Sequence, residues 1–242
     1  MGRKLVELLL AAILVFGLAG QTLAAWEEGH LLRIVYRADG NVEVATDLGA
    51  VSALVGLSNH TISAGAFSLA DFGPGAALAN LRVAYAAKIN SSSDAWFSGT
   101  AANMTNRGQF TSFSGAFTQM SLYYDSIDGG GVKAIGDKAN ASAYFELMDA
   151  RGIAANFGRV LSGAYPPGTE VAPVGGAMQT LYFYDSPNAA GAPTGIALTL
   201  RTNEDGSTTI NPGGGGVVPI PPSVLLLASG LLGLIGLRRK SA

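Results

Sequence analysis

Leu32-Arg33-Ile34-Val35-Tyr36-Arg37-Ala38-Asp39-Gly40-Asn41-Val42-Glu43-Val44-Ala45-Thr46 reads as a β-hairpin. Its two arms are rich in β-branched and aromatic residues. Asp39-Gly40 between them suits the positive φ angles of a tight hairpin turn. Val42, Val44 and Thr46 alternate with Glu43 and Ala45, the period-two pattern of a half-buried strand. Asp205-Gly206 repeats the arrangement, joining residues 196–201 to 207–210. Further strands are expected over 66–69, 81–87, 95–98, 120–124 and 179–184, each bounded by Gly, Asn or Ser. Helix signals are fewer. Residues 139–150 carry Tyr144, Leu147 and Met148 on one side, with Gly152 as a stop, and 49–57 suits a short helix. The expected fold class is mainly β, an antiparallel sheet or sandwich-like arrangement with a few short α-helices.

Both ends of the chain read differently. Arg3 and Lys4, the apolar run 8–18 and the small residues up to Ala24 and Ala25 have the form of a signal helix with its cleavage position. At the other end, Val218-Pro219-Ile220-Pro221-Pro222-Ser223 leads into an uncharged apolar run, 224–237, and then Arg238-Arg239-Lys240. Its nine strongly apolar side chains favour a bilayer by roughly 4 kcal/mol together. The run spans roughly 20 Å as a helix, short of a hydrocarbon core of about 30 Å. The basic end is expected to stay cytoplasmic. The organisation expected is a signal peptide (1–24), a secreted β-rich domain (25–210), a Gly-rich linker (211–217) and a tail (218–242) with a transmembrane helix at 224–237.

Composition bounds the partners. Charged residues are 13% of the chain and cysteine is absent, which excludes disulfides and a lipoprotein anchor. Removing Arg3, Lys4, Glu7, Arg238, Arg239 and Lys240 leaves ten basic against sixteen acidic residues. An acidic body argues against nucleic acid as a partner.

The order of elements in the tail resembles the PEP-CTERM sorting signal: Val218-Pro219-Ile220-Pro221, then Ala228-Ser229-Gly230-Leu231-Leu232-Gly233-Leu234-Ile235-Gly236-Leu237, then the basic triplet. Ile220 stands where that family's name-giving Glu falls. The resemblance implies a Gram-negative bacterium, the secretion machinery and an exosortase-like membrane protease as partners, and association with exopolysaccharide and biofilm. Pro219, Pro221, Gly230, Gly233, Gly236, Arg238, Arg239 and Lys240 would carry the signal. The glycines recur every third residue on one broad side of the helix, as a surface docking on the processing enzyme would need. Residues 29–36 and 47–52 resemble the opening of uncharacterised proteins bearing such tails, which implies a secreted β-rich domain with no active site.

Catalytic signatures are absent: no Gly-x-Ser-x-Gly, phosphate loop or His-Glu-x-x-His occurs. His30 and His60 have no partners set by a motif. Asp125 and Asp128, in the Asp/Gly-rich run 125–131, are weak Ca²⁺ candidates, since hard cations want converging oxygens, although such runs are more often turns. Glu43, Asp94, Glu146 and Asp149 are available as a hydrolytic carboxylate pair, but no spacing singles them out. In Trp96-Phe97, Tyr123-Tyr124 and Tyr182-Phe183-Tyr184, strand alternation sends neighbours to opposite sides. Trp96, Tyr124 and Tyr184 are the candidates for exposed rings that stack on sugars. No cofactor is expected. The leading reading is a non-catalytic exported protein of the cell surface or extracellular matrix, held transiently at the inner membrane. A carbohydrate-binding module sent by the same route is the alternative, and a secreted hydrolase stands third.

Overall fold

The computed structural model describes residues 26–213 with breaks at 106, 129–130, 150–155, 157–159, 162–169 and 186–189. The first hairpin forms as its alternation requires. β1 (His30–Arg37) pairs antiparallel with β2 (Val42–Ala50), placing Val35 opposite Val44 and Arg33 opposite Thr46. Its turn differs from expectation, because neither Asp39 nor Gly40 has a positive φ. Gly40 instead leaves room for the Arg37 side chain, which could shift to admit a larger residue. A Cβ there would lie 2.8 Å from Cδ of Arg37, whose Nε donates to Asp39 Oδ1 at 2.8 Å.

The other strands are β3 (His60–Ile62), β4 (Leu81–Ile89), β5 (Asp94–Ser98), β6 (Lys133–Asp137), β7 (Ala172–Pro173), β8 (Gln179–Tyr184), β9 (Gly195–Thr202) and β10 (Thr208–Ile210). Among the described residues all belong to one sheet, in the order β3-β10-β9-β8-β5-β4-β1-β2-β6, with β7 beside β4. The pairings are antiparallel throughout.

The sheet buries both faces. Leu32, Ile34, Tyr36, Ala84 and Phe97 pack into one cluster, and Leu31, Val35, Val83, Leu198 and Leu200 into another. The second face closes on itself. Arg33 of β1 reaches Thr208 of β10 at 2.9 Å, and the Tyr85 hydroxyl of β4 meets Thr202 of β9, although these strands lie well apart in the sheet order. The sheet is therefore a half-barrel rather than one layer of a sandwich. The chain after β3 crosses towards the other edge. Lys133 of β6 donates to Ala66 O at 3.4 Å and meets Asp71 at 3.1 Å.

Three helices whose bounds are fully described accompany the sheet: α1 (Val51–Leu54), α2 (Arg107–Asp128) and α3 (Tyr144–Leu147). The strand expected over 120–124 is the C-terminal part of α2. This helix contains Gly115 and many Ser and Thr residues, whose propensities disfavour it by up to about 0.7 kcal/mol per residue, or about 1 for Gly. Phe110, Phe113, Phe117, Met120 and Tyr124 are buried along one stripe, at roughly 1.5–3 kcal/mol each, and that burial prevails. Phe113 meets Phe97 of β5 edge to face, with centroids 4.7 Å apart.

The helix expected over 139–150 contracts to α3, because Asn140 Oδ1 accepts from Ser142 N at 2.8 Å and holds a turn. The strand expected over 66–69 is absent. Phe67 is buried there, and a capping box between Ser68 and Asp71 starts a short 3₁₀ turn, Leu69–Phe72.

The membrane-anchored form of the expected fold is corrected as well. Among the described residues no helix is long and apolar enough to cross a membrane. The signal helix at 1–24 and the transmembrane helix at 224–237 lie outside the described residues. What stands is an antiparallel half-barrel with short helices and one helix of 22 residues.

Candidate binding groove

One row of side chains crosses four strands: Ala87 on β4, Trp96 on β5, Phe183 on β8 and Gly195 on β9 are successive cross-strand partners. Directly opposed residues send their side chains to the same face, so two large rings stand between two small residues. The Trp96 and Phe183 rings stack with centroids 4.9 Å apart and an interplanar angle of 24°. Both are half-buried. At Gly195 no heavy atom of the described residues, its chain neighbours aside, lies within 4 Å of where a Cβ would be, so among them the flank of Phe183 stays open. A bulge in β9 beside it shifts the register between Leu181 and Tyr182, the irregularity that re-aims side chains next to sites. Ile196, just after the open position, is 45% exposed.

Around this row lies a groove of about 700 Å³. Val51 and Val55 from the α1 turn, Ile89, Ile196 and Ala197 give it apolar walls. Ser52 and Thr194 bring hydroxyls, and Glu28, Asp94 and Asp185 bring carboxylates. No basic side chain is among the described residues lining it. Asp94 Oδ2 accepts from Ser92 Oγ at 2.5 Å, and Glu28 Oε2 accepts from Asn90 N at 3.2 Å. A smaller pocket of about 330 Å³ shares Glu28 with the groove and continues past it to Trp26, Lys88, Phe117 and Asp125.

The other aromatic candidates face the wrong way. Tyr124 is fully buried in α2, donating its hydroxyl to Glu43 Oε1. Tyr184 is 1% exposed and donates to Ala102 O at 2.9 Å, and burial pushes its hydroxyl up to about 12. The ring beside Trp96 is Phe183, one residue earlier. Alternation in the aromatic run 182–184 held this information, since Tyr184 and Phe183 must point to opposite faces.

Asp125 and Asp128 belong to α2 rather than to a loop, and Asp128 Oδ2 accepts from Trp26 Nε1 at 3.0 Å. Among the described residues no group of three potential metal ligands occurs. His30 Nδ1 lies 2.8 Å from Asp47 Oδ2, and that carboxylate also accepts from the backbone of Trp26 and Gly49, a knot that ties the start of the domain to β2. His60 is exposed on edge strand β3.

Three of the carboxylates considered for hydrolysis, Glu43, Glu146 and Asp149, lie around α3, and Asp94 stands apart from them. Asp94 borders the groove. Glu43 is buried under α3, accepting from Tyr144 N at 2.9 Å and Phe145 N at 3.2 Å. Asp149 is buried and accepts from the Tyr36 hydroxyl at 2.9 Å. Glu146 is half-buried in α3. Ala24, Ala25, Pro219, Pro221, Gly230, Gly233, Gly236, Arg238, Arg239 and Lys240 lie outside the described residues.

No family model matches the chain, and no curated protein or solved structure shows significant similarity to it. The resemblance to exosortase substrates is corrected accordingly. No family model supports it, and the described fold is a half-barrel without a membrane-crossing helix among its described residues. The expected passage through a transient inner-membrane anchor is set aside with it.

Proposed function

We propose that this is a non-catalytic carbohydrate-binding domain whose ligand lies in the groove beside the Trp96–Phe183 pair. The single observation that supports it most is the row Ala87–Trp96–Phe183–Gly195. Two stacked rings flanked by an open position offer the flat apolar surface that sugar C–H faces pack against. The groove's volume and its few polar groups on apolar walls suit a small ligand or a short stretch of a longer one. Ser52, Thr194 and the bordering carboxylates supply partners for ring hydroxyls.

A glycan array followed by calorimetry on the leading hits tests the reading. Binding to at least one glycan class is expected, weakened about tenfold or more by Trp96→Ala, which removes about 1.4 kcal/mol of contact. Absence of binding across the array, or binding indifferent to Trp96→Ala, contradicts it.

A further inference from the structure

The groove's polar groups are unbalanced in a way that narrows the ligand. Glu28, Asp94 and Asp185 line it, and none of its described lining residues is basic. Ionised carboxylates only accept hydrogen bonds. A neutral sugar hydroxyl can donate to them in a charge-assisted bond, but it brings no positive charge to offset theirs. A protonated amine offers three donors, no acceptor and a full positive charge, so it adds ion-pair attraction to such a bond. The faces of Trp96 and Phe183 add an attraction for a cation close above them.

The same character continues beyond Glu28. Glu27 and Asp125 line the adjoining pocket, where Lys88 is the one basic lining residue among those described. The Lys88 ammonium offsets the charge of Glu28 in part, which leaves Glu27 and Asp125 in excess there. It bonds Asn90 Oδ1 and Ser114 Oγ, lies 5.8 Å from the centre of the Phe117 ring and also feels the charge of Glu28. A chain crossing from groove to pocket therefore meets carboxylates at both ends of its path.

From this charge complementarity we infer that the groove selects an amine-bearing glycan, one whose sugar units carry free rather than acetylated amino groups. The inference rests on the carbohydrate reading and narrows its substrate class. Acetylation removes the charge and would forfeit the advantage.

Calorimetry with a glucosamine tetrasaccharide, its fully N-acetylated counterpart and an oligolysine of similar charge tests it, at mildly acidic pH where the amines are protonated. The free-amine tetrasaccharide is expected to bind about tenfold or more tighter than the acetylated one. That margin should shrink in Asp185→Asn and Glu28→Gln and as salt is raised, while Trp96→Ala weakens both sugars. Equal affinity for the two tetrasaccharides overturns the amine inference and leaves the carbohydrate reading standing. Oligolysine binding as tightly as the free-amine sugar, with no loss in Trp96→Ala, overturns it as charge attraction alone. Binding to neither sugar, together with an empty glycan array, overturns both readings.

Discussion

Nη1 of Arg33 lies 2.6 Å from the carbonyl oxygen of Gly206, joining the first hairpin to the last across 173 positions of sequence. The guanidinium also donates to Thr208 Oγ1 and Thr46 Oγ1 at 2.9 Å and to Gly65 O at 3.0 Å, and it lies over the Phe67 ring. These acceptors are all neutral. Burial therefore lowers the Arg33 pKa, and Tyr85 and Asp205 oppose that shift only in part. The planar fork is what spans four acceptors on three parts of the chain. Arg33→Met leaves them without their donor and is expected to cost about 3 kcal/mol. Arg33→Lys keeps the charge without the fork and should fall well short of wild type. Urea-denaturation midpoints check both, and a wild-type midpoint for Arg33→Met would show that the half-barrel is held by its apolar contacts alone.

Gly206 adds a steric requirement to the same joint. Its φ is +83°, and a Cβ there would stand 1.9 Å from the Phe67 carbonyl oxygen. Gly206→Ala must move backbone, so it is expected to destabilise by about 3 kcal/mol or more. Gly40→Ala meets only the flexible Arg37 side chain and should cost less than about 1 kcal/mol. Thermal melts of the two variants side by side test the contrast; equal losses would contradict it.

Glu43 makes stability depend on pH. Burial pushes its carboxyl from an ordinary 4.5 up to about 7, opposed by hydrogen bonds from Tyr124, Phe145 and Tyr144 and by the charge of Lys138. Between those two values the folded state holds a proton that the unfolded chain has released. Stability is therefore expected to fall as pH rises from about 4.5 to about 7, by about 3 kcal/mol, and then to level off. Glu43→Gln should flatten that slope. Urea titrations at several pH values decide it, and an unchanged slope in Glu43→Gln would assign the dependence to another group.

The sequence made the sheet legible where alternation was strong and turns were marked. Both Asp-Gly hairpins and the strands at 81–87, 95–98 and 179–184 lie where they were expected. It misled where composition and packing disagreed. The Ser- and Thr-rich stretch holding α2 has poor helix propensity, and its helical signal is the spacing of Phe110, Phe113, Phe117, Met120 and Tyr124 alone. Trp96 is a candidate stacking ring in the sequence, but its setting depends on Phe183 and Gly195, which only strand register brings beside it. The curl that lets Arg33 reach Gly206 depends on contacts distant in sequence, and no local pattern encodes it. The membrane reading came from the chain's two ends, which lie outside the described residues, and the described fold contains nothing that continues it.

Gly195 offers a way to close the groove without touching its rings. Its position is open, its φ is not positive, and a larger side chain there would project beside Phe183. Gly195→Leu is expected to abolish glycan binding while leaving the folding free energy within about 0.5 kcal/mol of wild type. Calorimetric binding and urea titration on the same preparation test this. Full binding by a well-folded Gly195→Leu would place the ligand elsewhere.

Trp26 and Trp96 are the chain's two tryptophans, so a Trp26→Phe variant reports on Trp96 alone. The most direct measurement is its fluorescence during titration with the glycan that the array selects. A saturable change in Trp96 emission is expected, abolished by Gly195→Leu in the same background. An emission spectrum unmoved at glycan concentrations that saturate binding would contradict a ligand seated on the Trp96–Phe183 pair.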